Sequence, residues 1–143
     1  MIQYIKSKNK VLSIIIRASF NEEGIKFFTP DDFSQQLGYM KRIKGYKIDP
    51  HLHNSVKREV SFTKEVLFIK SGKVRVDFYE PDKKYFLSKI LTKGDVILLA
   101  FGGHGFEILE KSEIIEVKQG PYSLSKDKIK FSNTLESNIR IRK

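Results

Sequence analysis

Residues 65–79 read EVLFIKSGKVRVDFY. In Val74 to Tyr79, β-branched and aromatic residues alternate with Arg75 and Asp77, the period-two pattern of a strand with one face in a core. Glu65 to Lys70 is rich in the same residue types, and Ser71-Gly72-Lys73 between the two halves carries a turn signal. The stretch therefore predicts a strand, a turn and a returning strand. The unit recurs twice: Tyr85 to Leu91, Thr92-Lys93-Gly94-Asp95 and Val96 to Ala100; then Gly105 to Leu109, Lys111-Ser112 and Glu113 to Val117. Three consecutive hairpins predict an antiparallel all-β sandwich or barrel, because no helical period separates the strands as a βαβ chain would require.

Upstream of this region, Val11 to Phe20 and Ile25 to Phe28 each read as a strand, with Asn21 to Gly24 as the turn between them. Thr29-Pro30-Asp31-Asp32-Phe33 has the form of a helix start: a threonine cap, a proline in the first turn and acids near the positive end of the dipole. Gly38 is the natural stop, so one short helix is expected there. After Gly120-Pro121-Tyr122 the sequence becomes polar and basic, with Ile129, Phe131 and Leu135 left to pack. This predicts a single domain over 1–122 and a basic tail over 123–143 that lies on the body, pairs with a partner subunit, or is partly disordered.

Composition bounds the function. The longest apolar runs, Ile14-Ile15-Ile16 and Val96 to Phe101, fall far short of the ~20 residues of a membrane helix, so no membrane partner is expected. The lysines of MIQYIKSKNK stand where a signal peptide needs its apolar stretch, which predicts a cytoplasmic protein. The absence of cysteine excludes disulfides, zinc ribbons and thiol catalysis. Of the net charge of +10, the two ends carry most: residues 1–10 hold three Lys and no acid, and residues 126–143 hold six Lys and Arg against Asp127 and Glu136. A solvated basic tail and a polyanion-binding arm are both open readings. With no RNP motif, helix-turn-helix pattern or zinc finger, nucleic acid is not the expected partner.

The chain has three histidines, His51, His53 and His104. In a strand, His51-Leu52-His53 would present two imidazoles on one face, half of a metal site. His104 shares parity with Phe106 and Ile108, and Glu65 shares parity with Leu67 and Ile69, so both are expected to face inward. A carboxylate among aliphatic side chains is costly unless it is paired or bound to a cation. Three imidazoles and one carboxylate suit a divalent first-row metal such as Fe, Mn, Ni, Cu or Zn.

These residues stand in a frame that resembles the cupin family. Gly45 is followed by five residues and then His51-Leu52-His53, and Glu65 by six residues and then Gly72, as in the first cupin motif. Gly94, Gly102 and His104 take the glycine and histidine places of the second motif. The chain departs from the frame in the eleven-residue spacer between His53 and Glu65, which also contains Glu59, and in the shorter gap between Gly102 and His104. Ala100 stands at the usual proline, and Ile108 stands at the usual asparagine, whose role is therefore not carried over. The resemblance covers residues 39–120. It implies a small antiparallel jelly-roll barrel with one metal held by His51, His53, Glu65 and His104.

Gly102-Gly103-His104-Gly105 reads as a tight turn rather than a phosphate loop, because no helix pattern follows it. Lys57 and Arg58 are either solvated charges or a flap that recognises an anionic ligand. Residues 102–122 are similar to stand-alone cupins that accompany surface-polysaccharide and nucleotide-sugar biosynthesis. The resemblance thus implies a protein acting on, or binding, a sugar or nucleotide-sugar intermediate. A non-enzymatic small-molecule sensor, a metal-dependent dioxygenase and a metal-free isomerase that uses its histidines as proton carriers are the alternatives. Val66 and Phe68 add an apolar outer face to the inward Leu67 and Ile69, which predicts a homodimer through that face.

Overall fold

None of the three expected turns reverses the chain. The computed structural model describes residues 1–121 and 127–143, and its strands are β1 (Ile2–Ser7), β2 (Lys10–Ile16), β3 (Gly24–Phe27), β4 (Gly38–Lys41), β5 (Glu65–Tyr79), β6 (Tyr85–Thr92), β7 (Val96–Leu99) and β8 (Gly103–Lys118). The expected first and third hairpins are each one long strand, β5 and β8, and these pair with each other antiparallel from Glu65 opposite Lys118 to Tyr79 opposite Gly103. Gly72 sits at an irregularity in that ladder with a φ of +83°. A Cβ there would strike the Lys111 carbonyl and the Ser112 hydroxyl of β8. The glycine is thus the signature of a β-bulge against a neighbouring strand, and the local sequence reads the same for a bulge as for a turn.

The expected second hairpin is corrected in the same way. β6 and β7 do not pair with each other; both lie antiparallel on the other edge of β5, β6 along Lys73 to Tyr79 and β7 along Glu65 to Phe68. The Thr92-to-Asp95 link between them stays in the ladder, because the Ile69 N–H donates to the Asp95 carbonyl at 2.9 Å and the Gly94 N–H to the Ile69 carbonyl at 2.7 Å. β7 also pairs with β2, and β2 with β1, which completes a six-stranded antiparallel sheet.

This topology forces the sheet to curl. Leu99 lies opposite Glu65 at one end of β5, and Gly103 lies opposite Tyr79 at the other. Only residues 100–102 join β7 to β8. A link that short spans little more than ~14 Å, whereas a straight 15-residue strand runs ~50 Å. The two ends of β5 must therefore approach each other, giving a curled half-barrel. Gly102 makes the passage possible: its φ is +78°, and a Cβ would sit 2.5 Å from the Tyr79 carbonyl oxygen. On the inner face Leu67, Ile69, Val74, Val76, Phe78 and Leu91 are buried together with Ile97 and Leu99. Each full side-chain burial of this kind is worth about 1.5–3 kcal/mol.

By contact density the described chain divides into two units, 1–20 with 62–143, and 21–61. The expected boundary between domain and tail, at 122/123, lies outside the described residues. Residues 127–143 belong to the first unit. The second unit is a β3–β4 hairpin followed by irregular chain. The short helix expected over 29–38 is not formed, and no helix of the described chain is long and apolar enough to cross a membrane. Thr29 Oγ1 accepts from the Leu37 N–H at 3.2 Å, and the Gln36 side-chain amide donates to the Pro30 and Phe33 carbonyls, both at 2.9 Å. Side chains thus take the backbone groups that a helix would pair with one another, and the cap-like threonine closes a loop instead. β1 was not foreseen: its lysines read as a charged terminus, yet Ile5 is buried in the core.

Candidate functional site

Curling brings together two of the four predicted ligands. Glu65 starts β5 and His104 follows Gly103 at the start of β8, where it lies opposite Phe78. His104 Nε2 and Glu65 Oε2 are 3.1 Å apart. With its proton on Nε2, the imidazole donates to the carboxylate. That hydrogen bond holds the Glu65 pKa below the usual carboxylate value against the opposing effect of burial, and His104, Lys118 and Lys128 add electrostatic support. The Glu65 side chain is 17% exposed and the His104 side chain 31%, so the pair is screened but open to a small solute. The His104 ring lies tilted against Phe106, with centroids 5.4 Å apart.

The other two predicted ligands lie in the second unit. Residues 42–64 hold no strand, so His51-Leu52-His53 does not present its imidazoles by strand alternation as expected. The rings nevertheless meet edge to face, 5.2 Å apart at 80°. His51 Nδ1 lies 2.9 Å from the Asp49 carbonyl oxygen. A proton on Nδ1 satisfies that contact and leaves the Nε2 lone pair outward, the tautomer of a metal-ligating histidine whose second nitrogen is anchored. Within neither unit does a third His, Asp or Glu join the pair to form a metal-binding group, among the described residues. Lys57, Arg58 and Glu59 are exposed in the same irregular stretch.

Sequence reading missed a second polar centre, on the outer face of β5 and β6. Arg75 is buried and reaches Asp77 Oδ1 at 2.9 Å, Glu107 Oε2 at 2.6 Å and Glu136 Oε1 at 2.9 Å. Its pKa is raised by these carboxylates, and that of Glu136 is lowered in turn. Asp77 also accepts a 2.5 Å hydrogen bond from Ser88, whose hydroxyl lies 2.8 Å from that of Tyr85. The Arg140 N–H donates to Tyr85 Oη at 2.7 Å. The signal was present in Arg75-x-Asp77, two opposite charges on one face of the otherwise apolar stretch Val74 to Tyr79, a spacing that suits a buried ion pair. Tyr85, Thr134, Ser137, Asn138, Ile139 and Arg140 line an open hollow of about 430 Å³ beside this centre.

No family model, curated protein or solved structure matches this chain.

Proposed function

We propose that this chain is a cytoplasmic small-molecule-binding protein of the cupin kind that binds or acts on a sugar or nucleotide-sugar intermediate of surface-polysaccharide synthesis. The observation that carries the reading is the Glu65–His104 pair, an ionised carboxylate and an imidazole held at 3.1 Å where the two ends of one long strand meet. Sugar recognition rests on the resemblance of residues 102–122. The donor types fit a divalent ion: two imidazoles with a free Nε2 on His51, and an imidazole beside a carboxylate that stays charged at neutral pH. A bound Fe, Mn, Ni, Cu or Zn would supply Lewis acidity toward a carbonyl or hydroxyl. Glu65 orients the His104 ring and fixes its tautomer.

The direct hydrogen bond between Glu65 and His104 also favours a second reading, in which the pair moves a proton on a keto-sugar with no metal, as an isomerase would. Elemental analysis of tag-free protein beside the His51→Ala and His104→Ala variants decides between them. Near-stoichiometric metal that is lost in a variant supports metal binding at the pair which that substitution disrupts. Metal-free wild type that catalyses solvent-deuterium exchange into a nucleotide-linked keto-sugar, abolished in His104→Ala, supports the isomerase. Binding of such sugars by calorimetry without turnover would identify a sensor, and no binding at all would overturn the sugar reading.

A further inference from the structure

The hollow beside the Arg75 centre has walls of one electrostatic kind. Tyr85, Thr134, Ser137, Asn138, Ile139 and Arg140 line its volume of about 430 Å³. They supply a guanidinium, a phenol, two aliphatic hydroxyls and a carboxamide, and no carboxylate. Glu136, the one acid of residues 128–143, is turned to Arg75, with Oε1 and Oε2 at 2.9 and 3.0 Å from the guanidinium nitrogens. Its charge is answered there, so Arg140 sets the sign of the hollow. The size is that of a site for a small metabolite, roughly 300–1,000 Å³.

The donors are held in place before any ligand arrives. The Arg140 backbone N–H donates to Tyr85 Oη at 2.7 Å, its Nη2 donates to the Phe86 carbonyl at 2.8 Å, and its guanidinium lies over the Tyr85 ring, 5.6 Å from the centroid. Tyr85 is fixed in turn. Ser88 donates its hydroxyl proton to Asp77, so the 2.8 Å contact between the Ser88 and Tyr85 hydroxyls takes the proton of Tyr85, and the Tyr85 oxygen is left to accept from Arg140. The Thr134 N–H donates to Tyr79 Oη at 3.2 Å, which pins the opposite wall to β5. Side-chain entropy that an ordinary surface arginine loses on binding is here already lost. The Phe86 carbonyl uses one of the five guanidinium donors, and among the described residues no other hydrogen-bond acceptor meets that group. A planar carboxylate is satisfied by the guanidinium fork alone, whereas a phosphoryl group has three terminal oxygens and nearly two charges, and can take up the hydroxyls and the amide as well.

We propose that this hollow binds the phosphoryl group of a small phosphate monoester, with Arg140 as the fork and Thr134, Ser137 and Asn138 as the remaining donors. The site is separate from the Glu65–His104 pair: His104 lies opposite the inward Phe78, whereas the hollow stands on the outer face with Arg75 and Asp77. The inference therefore does not rest on the reading of that pair. Calorimetry and amide resonances of the full chain, titrated with inorganic phosphate, methyl phosphate and acetate, test it. Both phosphates should bind saturably and shift the amides of residues 134–140, with acetate at least about tenfold weaker. Arg140→Gln should raise the dissociation constant for methyl phosphate about tenfold or more, and Ser137→Ala, an exposed substitution that leaves the fold untouched, about threefold. Arg142→Gln removes the same charge from the same segment outside the lining, and should change it by less than about twofold. Four results would each overturn the proposal: no saturable binding up to about 20 mM, acetate as tight as methyl phosphate, inorganic phosphate bound with methyl phosphate excluded, or Arg142→Gln and Arg140→Gln equally damaging, which would assign the effect to diffuse basic charge.

Discussion

β6 and β8 flank the same half of β5, and the chain treats their outer edges in opposite ways. The β6 edge is closed. Ser88 exchanges backbone hydrogen bonds with Arg140 and Arg142, the Ile90 carbonyl accepts from Arg17 at 2.7 Å, and Lys89 reaches the Lys143 carbonyl at 2.8 Å. Burial, with Arg17 and Arg142 nearby, holds the Lys89 pKa down. β8 carries exposed apolar side chains, and among the described residues no strand pairs with its other edge. A bridge of Ser88 to Ile141 is all the strand structure that the closed edge needs. A segment of low hydrophobicity can therefore seal an edge if a buried ion pair and a few backbone bonds hold it in place. The contrast is between an edge sealed by the C-terminal segment and an edge that no strand of the described residues takes.

The largest test of the comparison removes the anchor of the closed edge. Arg75→Ala leaves Asp77 buried without its partner and releases Glu136, and should cost about 3–5 kcal/mol in chemical denaturation while exposing residues 134–143 to protease. Next comes the bend that both edges share. Gly72→Ala drives a methyl group into Lys111 and Ser112 from a left-handed backbone, for about 2–3 kcal/mol, and should broaden β8 resonances more than those of β6. Tyr85→Phe removes the hydroxyl that receives the Arg140 N–H, and should cost about 1 kcal/mol with faster exchange at that amide. Lys73→Ala on the open side removes only an exposed ion pair and should change stability by less than about 0.5 kcal/mol.

A pH series adds a test at the start of β8. The Glu65 pKa is lowered in the folded chain, so its contribution is fully present above the unfolded carboxylate value of about 4.3 and is lost as pH falls through the folded value. The stability gap between wild type and His104→Ala should be widest above that range and should close on acidification. A gap independent of pH would mean that the imidazole acts by packing against Phe106 alone.

Much of this was legible in the sequence. The alternation in Val74 to Tyr79 correctly gives an inward Val74, Val76 and Phe78, and Glu65, which shares parity with the buried Leu67 and Ile69, has a side chain 17% exposed beside His104. The antiparallel all-β class follows from the same alternation. What failed is instructive in the same residues. Gly72 and Gly94 have positive φ, and the sequence reports that requirement without saying whether the chain reverses or merely bulges; the neighbouring strand decides, and it lies far away in sequence. Thr29 and Gln36 illustrate the same ambiguity in polar groups, since a cap and a loop-closing hydroxyl are one residue type. The spacing of His51 and His53 predicted their proximity correctly for the wrong reason, as irregular chain rather than strand alternation holds the rings together.

The curl also imposes an order of assembly. The register nearest in sequence joins Tyr79 to Gly103, and the farthest joins Glu65 to Lys118. Short loops close at the lower entropic cost, so the β5–β8 ladder should zip from the first pairing toward the last, across the bend at Gly72. His104 stands where zipping begins and Glu65 where it ends. A partly formed sheet can hold either residue in place without the other, so their hydrogen bond reports the completed molecule, and any activity that needs both is withheld from every intermediate on the way.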